Sequence, residues 1–309
     1  MAGIKILGLG SAQGDRKITN EELSQTVDTS DEWIRSKSGI RSRYFAEKKT
    51  NLDMATEAAR KALENSGINK EDITLCIVCT FTPDDYTPAT ACAVSGALGL
   101  NEEILAFDLN GACSGFVYGC KVANEYLRTM PGKYALIIGS EKISPVMDME
   151  DRGTCVLFGD GSGACIVGFD TAAEFEFYGG CIADRQVLGA KRGGYIEMSG
   201  QEVYRFATSV LPQCIDTLLQ RSKLTPKEID WYVCHQANER IIDTAARRVP
   251  KEVRDRFFKN LYDYGNTSAA SIPIALAEMW EKDLIKPGQK LICTGFGAGL
   301  TYGSMLISM

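Results

Sequence analysis

The sequence predicts an α/β protein built from two similar halves. Strand-like and helix-like segments alternate along the chain, and segments of the first half return in the second at one constant spacing. IKILGLG (4–10) reads as a strand. LDMATEAARKALENSG (52–67) carries apolar residues at helical spacing and ends on Gly67, a residue suited to the left-handed position that closes a helix. ITLCIVCT (73–80) is a continuous apolar run of strand length, the pattern of a strand buried on both faces. ILAFDL (104–109) reads as a further strand, SGFVYGCKVANEYLR (114–128) as a helix, and YALIIGSE (134–141) as another buried strand.

The repeat is the more informative observation. SGINKEDITLCIVCT begins at Ser66 and its counterpart SKLTPKEIDWYVCHQ at Ser222. GKYALIIGSE begins at Gly132 and GQKLICTGFG at Gly288. Asn110 in DLNGAC pairs with Asn266 in DYGNTSA. Each pair is separated by 156 positions (222 − 66, 288 − 132, 266 − 110). Two copies of this length do not make a solenoid; they imply duplicated halves packed face to face, with chemistry at the junction where equivalent loops converge. The boundary is expected near residue 170, in the turn-prone stretch GFDTAAEFE. That gives halves of residues 1–170 and 171–309, with no low-complexity linker between them.

Composition narrows the class. The 309 residues are 45% hydrophobic and 24% charged, ordinary values for a globular protein. A net charge of −6 argues against non-specific nucleic-acid binding, which needs a basic field. The 11 cysteines have no framework spacing, so a reducing, cytoplasmic setting is expected. Cys76 and Cys79 form a CxxC, but residues three apart in a strand point to opposite faces, and buried thiols are the expectation. No metal site is predicted. The N-terminal apolar run is too short for a signal peptide, and no stretch approaches a membrane span.

Three residues stand out. His235, the one histidine, lies at the end of the strand-like DWYVC and opens HQAN, where α/β folds place functional groups; the plain alternative is a structural histidine. Cys113, in NGACSGF, follows a strand and opens a helix, whose N-terminus is expected to lower its pKa and sharpen its nucleophilicity; the plain alternative is one more buried thiol. Asn266, in YGNTSAAS, reads by itself as a turn residue. By the repeat it corresponds to Asn110, three residues before Cys113, and His235 corresponds to Cys79. The glycines of FGDGSGA (158–164) and TGFGAGLTYG (294–303) are weak signals, although backbone N–H groups in the second suit an oxyanion.

In these contexts Cys113, His235 and Asn266 resemble the Cys-His-Asn triad of the 3-oxoacyl-(acyl-carrier-protein) synthase III family. TSDEWI (29–34), SGIRSR (38–43), DLNGACSGF (108–116), GDGSGA (159–164), MSGQEVYRFA (198–207), HQANERI (235–241), YGNTSAASIP (264–273) and GFGAGLTYGS (295–304) fit in order, over nearly the whole chain. The resemblance implies the five-layered αβαβα thiolase fold, a homodimer, and condensation of an acyl-CoA with malonyl-acyl-carrier protein without a cofactor. It implies an oxyanion hole from the N–H groups of Cys113 and Ala298. For CoA it implies Trp33 and Arg152 about the adenine, Lys37 near phosphate where the family often has Arg, and Gly200 and Asn238 along the pantetheine tunnel. For the acidic carrier protein it implies Arg205, Gln236, Arg240, Arg247 and Arg248. Arg240 and Arg247, seven apart, are expected to share a helix face. Thr87 falls where the family's dimer loop enters the neighbour's acyl pocket, and a residue of its size is expected to leave that pocket long or wide.

Other readings compete. A relative with the same triad would make quinolones, pyrones or similar condensed metabolites. The order Cys…His…Asn is also that of papain-like proteases, but their local cysteine signature is absent and that fold leaves the repeat unexplained. A silent scaffold would be expected to lack the nucleophile.

Overall fold

A computed structural model describes residues 2–309. In chain order it runs β1 (Ala2–Gln13), β2 (Arg16–Thr19), α1 (Asn20–Leu23), α2 (Asp31–Ser38), β3 (Ser42–Phe45), α3 (Asn51–Ser66), β4 (Ile73–Cys79), α4 (Thr90–Leu98), β5 (Leu105–Leu109), α5 (Gly115–Leu127) and β6 (Tyr134–Glu141). A long strand β7 (Gly161–Asp184) then leads to β8 (Leu188–Ala190), β9 (Ile196–Met198), α6 (Gly200–Ser222), β10 (Trp231–Cys234), α7 (Glu239–Ala246), α8 (Leu261–Tyr264), α9 (Ser271–Glu281), β11 (Lys290–Gly297) and β12 (Gly299–Ser308). Local chemistry sets the ends. Thr50 and Asp53 form a reciprocal capping box at the start of α3, and Gly67, at φ 64°, closes it.

Eight strands share one hydrogen-bonded order, β10-β11-β12-β1-β7-β6-β4-β5. β1 meets β12 at one register pair, Lys5 with Ser308, so the order divides into two sheets joined through β7. The first part of β7 pairs with β1 and β6, and the part from Phe175 to Asp184 pairs with β12. Near residue 170 the pairing with β1 breaks register, with Asp170 opposite Gly3 and Glu174 opposite Ala2, and Asp170 Oδ1 accepts the Ala172 N–H at 2.9 Å. Beyond this irregularity β7 takes β12 as its partner, with Phe175 and Phe177 in the core.

Alternation along the strands sorts the layers. In β6, Ala135 and Ile137 face a core shared with α5 and α9, while Leu136 and Ile138 face the apolar side of α3. In β11, Leu291 and Cys293 face the shared core, and Ile292 faces α6 and α7. The result is helices, sheet, a central pair of helices, sheet, helices. Cys76 and Cys79 are both fully buried, on opposite faces of β4.

Equivalent elements keep the spacing of the sequence repeat. β6 (134–141) and β11 (290–297) coincide at both ends after a shift of 156, as do the starts of α5 (115) and α9 (271). α3 and α6 end at Ser66 and Ser222, each closed by a left-handed residue, Gly67 and Lys223.

Candidate active site

Two short turns of like geometry meet at the centre. One, Ala112–Ser114, precedes α5; the other, Ser268–Ala270, precedes α9. Each opens on a residue with positive φ that is not glycine, Ala112 at 46° and Ser268 at 49°. Such residues are uncommon and cost local strain. Each is held by an asparagine two residues back: Asn110 Oδ1 accepts the Ala112 N–H at 3.2 Å, and Asn266 Oδ1 accepts the Ser268 N–H at 2.9 Å. Each turn lies against the end of a strand from the other half. A Cβ on Gly139 of β6 would stand 2.3 Å from the Ala269 carbonyl oxygen, and one on Gly297 of β11 would stand 2.8 Å from the Cys113 nitrogen. Only glycine permits either approach.

Cys113 occupies the first turn and opens onto a cavity of about 1440 Å³ that His235, Asn266 and Ala298 also line. Ala298 sits in the turn between β11 and β12, and its carbonyl accepts Thr301 Oγ1 at 3.0 Å. The lowered thiol pKa expected from a helix N-terminus is not found. Burial pushes the Cys113 thiol up to about 12, the Ser268 hydroxyl pulls it down less than burial raises it, and the Glu141 charge adds to the rise. The cysteine sits in the turn ahead of α5 and is mostly enclosed, so desolvation of the thiolate outweighs the helix end.

His235 ends β10. Its N–H donates to the Thr294 carbonyl at 2.8 Å, and Phe296 meets its ring edge-on at 5.2 Å. Nδ1 lies 2.6 Å from Ser271 Oγ. The same oxygen accepts the Gln236 N–H at 3.3 Å. With Nδ1 occupied by the serine, Nε2 is the ring nitrogen left for the cavity. Burial holds His235 near a pKa of about 3, so the ring is neutral. Asn266 has committed Oδ1 to the Ser268 N–H, and its Nδ2 remains as a donor. One thiol, one imidazole and one amide donor therefore face one cavity.

The remaining predicted residues distribute as follows. The Arg152 guanidinium stands 5.2 Å from the Trp33 ring at the cavity mouth and must part from it to admit a base. Lys37 and Gly200 line the same mouth. Asn238 does too, but its Oδ1 caps α7 through the Arg240 N–H and its Nδ2 donates to the Lys37 carbonyl, so it also ties α7 to α2. Arg205, Arg240, Arg247 and Arg248 are exposed; Arg240 packs over Tyr204 at 5.3 Å, and Arg248 stands 3.7 Å from Asp216. Arg247 caps the C-terminus of α7 with helical backbone, its N–H bonded to the Asp243 carbonyl at 3.0 Å.

Gln236 is a correction. It is 1% exposed, donates to the Cys234 and Phe258 carbonyls, and accepts the Asn260 and Leu261 N–H groups. Both ends of its side chain are consumed inside the protein, so it cannot meet a docking partner. Thr87 is exposed and lies outside the cavity of its own protomer, although Tyr86 beside it lines the edge. Sequence reasoning missed Ser271, Ser268 and Glu141. The repeat signals the two serines, which align with Gly115 and Ala112; Glu141 gave no signal beyond ending a buried strand.

Comparison with known proteins places the chain in a family. The family description 3-oxoacyl-[acyl-carrier-protein (ACP)] synthase III matches residues 107–179, and its C-terminal counterpart matches residues 219–309. The chain is 40% identical to a beta-ketoacyl-[acyl-carrier-protein] synthase III of Clostridium acetobutylicum, covering 99% of both chains. It superposes on the crystal structure of 3-oxoacyl-[acyl-carrier-protein] synthase III from Aquifex aeolicus with TM-score 0.94 and 39% identity, over 99% of this chain and 100% of that one. The priming beta-ketosynthase of the R1128 polyketide pathway is also similar, with TM-score 0.93 and 31% identity, over 99% of this chain and 96% of that one. With likeness of this extent over the full length and a Cys-His-Asn site at the join of its halves, the chain belongs to the 3-oxoacyl-[acyl-carrier-protein] synthase III family and has the thiolase fold.

Proposed function

We propose that the protein catalyses the initiating condensation of fatty acid synthesis, joining an acyl-CoA primer to malonyl-acyl-carrier protein and releasing CO2 and CoA. The observation that carries this reading is a thiol, an imidazole and an amide N–H donor on a single cavity, with His235 Nδ1 engaged by Ser271 so that Nε2 is left for the substrate. Cys113 attacks the thioester of the primer. The tetrahedral oxyanion takes hydrogen bonds from the N–H groups of Cys113 and Ala298, and CoA departs. Malonyl thioester then loses CO2, and the enolate oxygen is held by His235 Nε2–H and Asn266 Nδ2–H. Such a donor is worth roughly 3–4 kcal/mol of barrier. The enolate carbon attacks acyl-Cys113 and expels the Cys113 thiolate, which takes up a proton from solvent to restore the thiol. No electrons are exchanged with an outside group, so the chemistry calls for no cofactor.

The cavity volume suits a ligand the size of CoA. Trp33 and Arg152 offer flat faces to its adenine, Lys37 offers charge to its phosphate, and Gly200 and Asn238 border the path inward. Arg205, Arg240, Arg247 and Arg248 would receive the acidic carrier protein on a protein of net charge −6. A homodimer is supported by the edge strand β5, whose Leu105 and Phe107 are exposed, together with Tyr86; in such a dimer Thr87 would limit the neighbour's acyl pocket. Eleven unpaired cysteines suit the cytoplasm, and no helix among the described residues is long and apolar enough to cross a membrane.

The test is intact-mass spectrometry of wild type and Cys113→Ser after incubation with acetyl-, isobutyryl- and longer acyl-CoAs. One acyl adduct on wild type and none on the variant is expected. No adduct with any CoA would move the assignment toward a priming enzyme fed by another acyl donor.

A further inference from the structure

The acylation step leaves one proton unaccounted for. Cys113 holds its proton tightly, since burial pushes the thiol up to about 12. His235 is not free to take that proton. Its Nδ1 is engaged by Ser271, and its role as a donor to the enolate in the reaction proposed above needs hydrogen on Nε2. It is also a weak base in its buried setting.

A second acid–base group lies behind the site. Glu141, the last residue of β6, is 0% exposed and has no ion pair among the described residues. Its two oxygens are unequal. Oε2 accepts three hydrogen bonds, from Thr80 Oγ1 at 3.0 Å, the Phe81 N–H at 3.2 Å and Thr82 Oγ1 at 2.6 Å. Oε1 accepts none. Ser268 Oγ, 1% exposed, also lacks a partner. The Ser268 hydroxyl stands beside both the Cys113 thiol and the Glu141 carboxyl, close enough to lower the pKa of each without closing to full hydrogen-bond geometry. Ser268 lines the cavity while Glu141 does not, so the serine separates the carboxyl from the substrate. The close contact comes from Gly139, where β6 runs against the turn that carries Ser268.

Among the titratable groups around the carboxyl are the Cys79 and Cys113 thiols, both raised by its charge. Lys142, next in the chain, turns its Nζ to the Lys49 carbonyl at 2.9 Å. A buried carboxyl with one saturated oxygen and one bare oxygen, facing a bare hydroxyl beside a thiol, is an unfinished proton path. Purely structural carboxylates have their lone pairs filled.

We propose that Glu141 stores the Cys113 proton during acylation, with the Ser268 hydroxyl as the relay. This rests on the reading of Cys113 as the acylated nucleophile. As Sγ bonds to the acyl carbon, its S–H bond breaks and the proton passes to Ser268 Oγ, while the Ser268 proton passes to Glu141 Oε1. As the bond from the acyl carbon to the CoA sulfur breaks, the thiolate takes a proton from Ser268, and Glu141 returns one to the serine. The products are acyl-Cys113 and neutral CoA thiol, with Glu141 ionised as at the start. In this path Ser268 would meet the reacting sulfur, and Glu141 acts through it. Burial pushes Glu141 up to about 7, so above that pH it is ready to accept.

The experiment measures single-turnover acylation of Cys113 by acetyl-CoA from pH 6 to 9 in wild type, Glu141→Gln and Ser268→Ala. Glutamine keeps an acceptor for the Thr80, Phe81 and Thr82 donors, and alanine is the residue that already occupies the equivalent strained position, Ala112. Wild type is expected to rise to about pH 7 and then run flat. Each variant is expected to be about a hundredfold slower at pH 7.5, the size of a general-base contribution, and to gain roughly tenfold per pH unit, since its proton must go to solvent. A Glu141→Gln enzyme that acylates as fast as wild type, or faster through loss of a repelling charge, overturns the proposal. So does a wild-type pH profile in Ser268→Ala, which remains decisive if the glutamine variant does not fold. Alkylation of Cys113 by iodoacetamide, followed by mass, needs no CoA recognition. A wild-type plateau above pH 7 that becomes a steady rise in Glu141→Gln supports the store even where acyl-CoA fails as substrate, and matching profiles contradict it.

Discussion

The two central turns have nearly the same backbone and opposite equipment. Asn110 and Asn266 brace them alike, Ala112 and Ser268 share an unusual conformation, and Gly297 and Gly139 admit them to the opposite strand. At the middle position the first turn carries Cys113 and the second Ala269. Across from them the pattern inverts, since Cys79 of the first half aligns with His235 and Glu141 aligns with Gly297. One scaffold has been filled twice, once to make a nucleophile and once to hold hydrogen-bond donors. Backbone geometry alone therefore does not make an active site; a few side chains on shared geometry do.

Making the turns alike should cost the most. Cys113→Ala copies Ala269, and it should abolish the acyl adduct in intact-mass measurements while moving Tm by only a few degrees. Loss of the fold would show that the two turns are not interchangeable. Gly297→Ala comes next. Its Cβ would fall 2.9 Å from Cys113 Cβ, and a displacement of that kind costs roughly 100-fold in acylation rate. An active Gly297→Ala enzyme would mean the nucleophile turn has slack.

Glu141→Gln should separate the halves by pH. The Glu141 pKa is raised, so whatever stability the carboxyl contributes is present below the usual carboxylate pKa and is lost as pH climbs through about 7. The advantage of the glutamine variant in thermal melts should therefore grow from pH 5 to pH 8, toward an upper limit on the order of 3 kcal/mol. A difference that ignores pH would contradict the buried ionisation. Gly139→Ala should be mildest for chemistry and chiefly destabilising, by about 1–3 kcal/mol, because its Cβ meets the Ala269 carbonyl instead of the nucleophile.

Much of this was legible in the sequence, for specific reasons. Secondary structure followed from apolar runs such as ITLCIVCT, which have few alternatives once buried on both faces. The spacing of 156 anticipated which elements are equivalent, because equivalent segments must present the same faces to the same layers. What stayed hidden were properties of enclosure. Burial reverses the expected pKa shift of Cys113. Gln236, in a motif read as a docking surface, is folded inward by four backbone partners. β7 resumes beyond the irregularity at residues 170–174, because Phe175 and Phe177 belong to the core. Ser271 and Glu141 act through partners distant in sequence, which no local motif displays.

The most direct test of the division between the turns loads His235→Ala with acetyl-CoA and then supplies malonyl-acyl-carrier protein, reading the acyl adduct by mass and CO2 by release. The account predicts a normal acetyl adduct on Cys113 and CO2 release slowed by about 10²–10³-fold. A variant that fails to acylate, or one that decarboxylates at the wild-type rate, would contradict it.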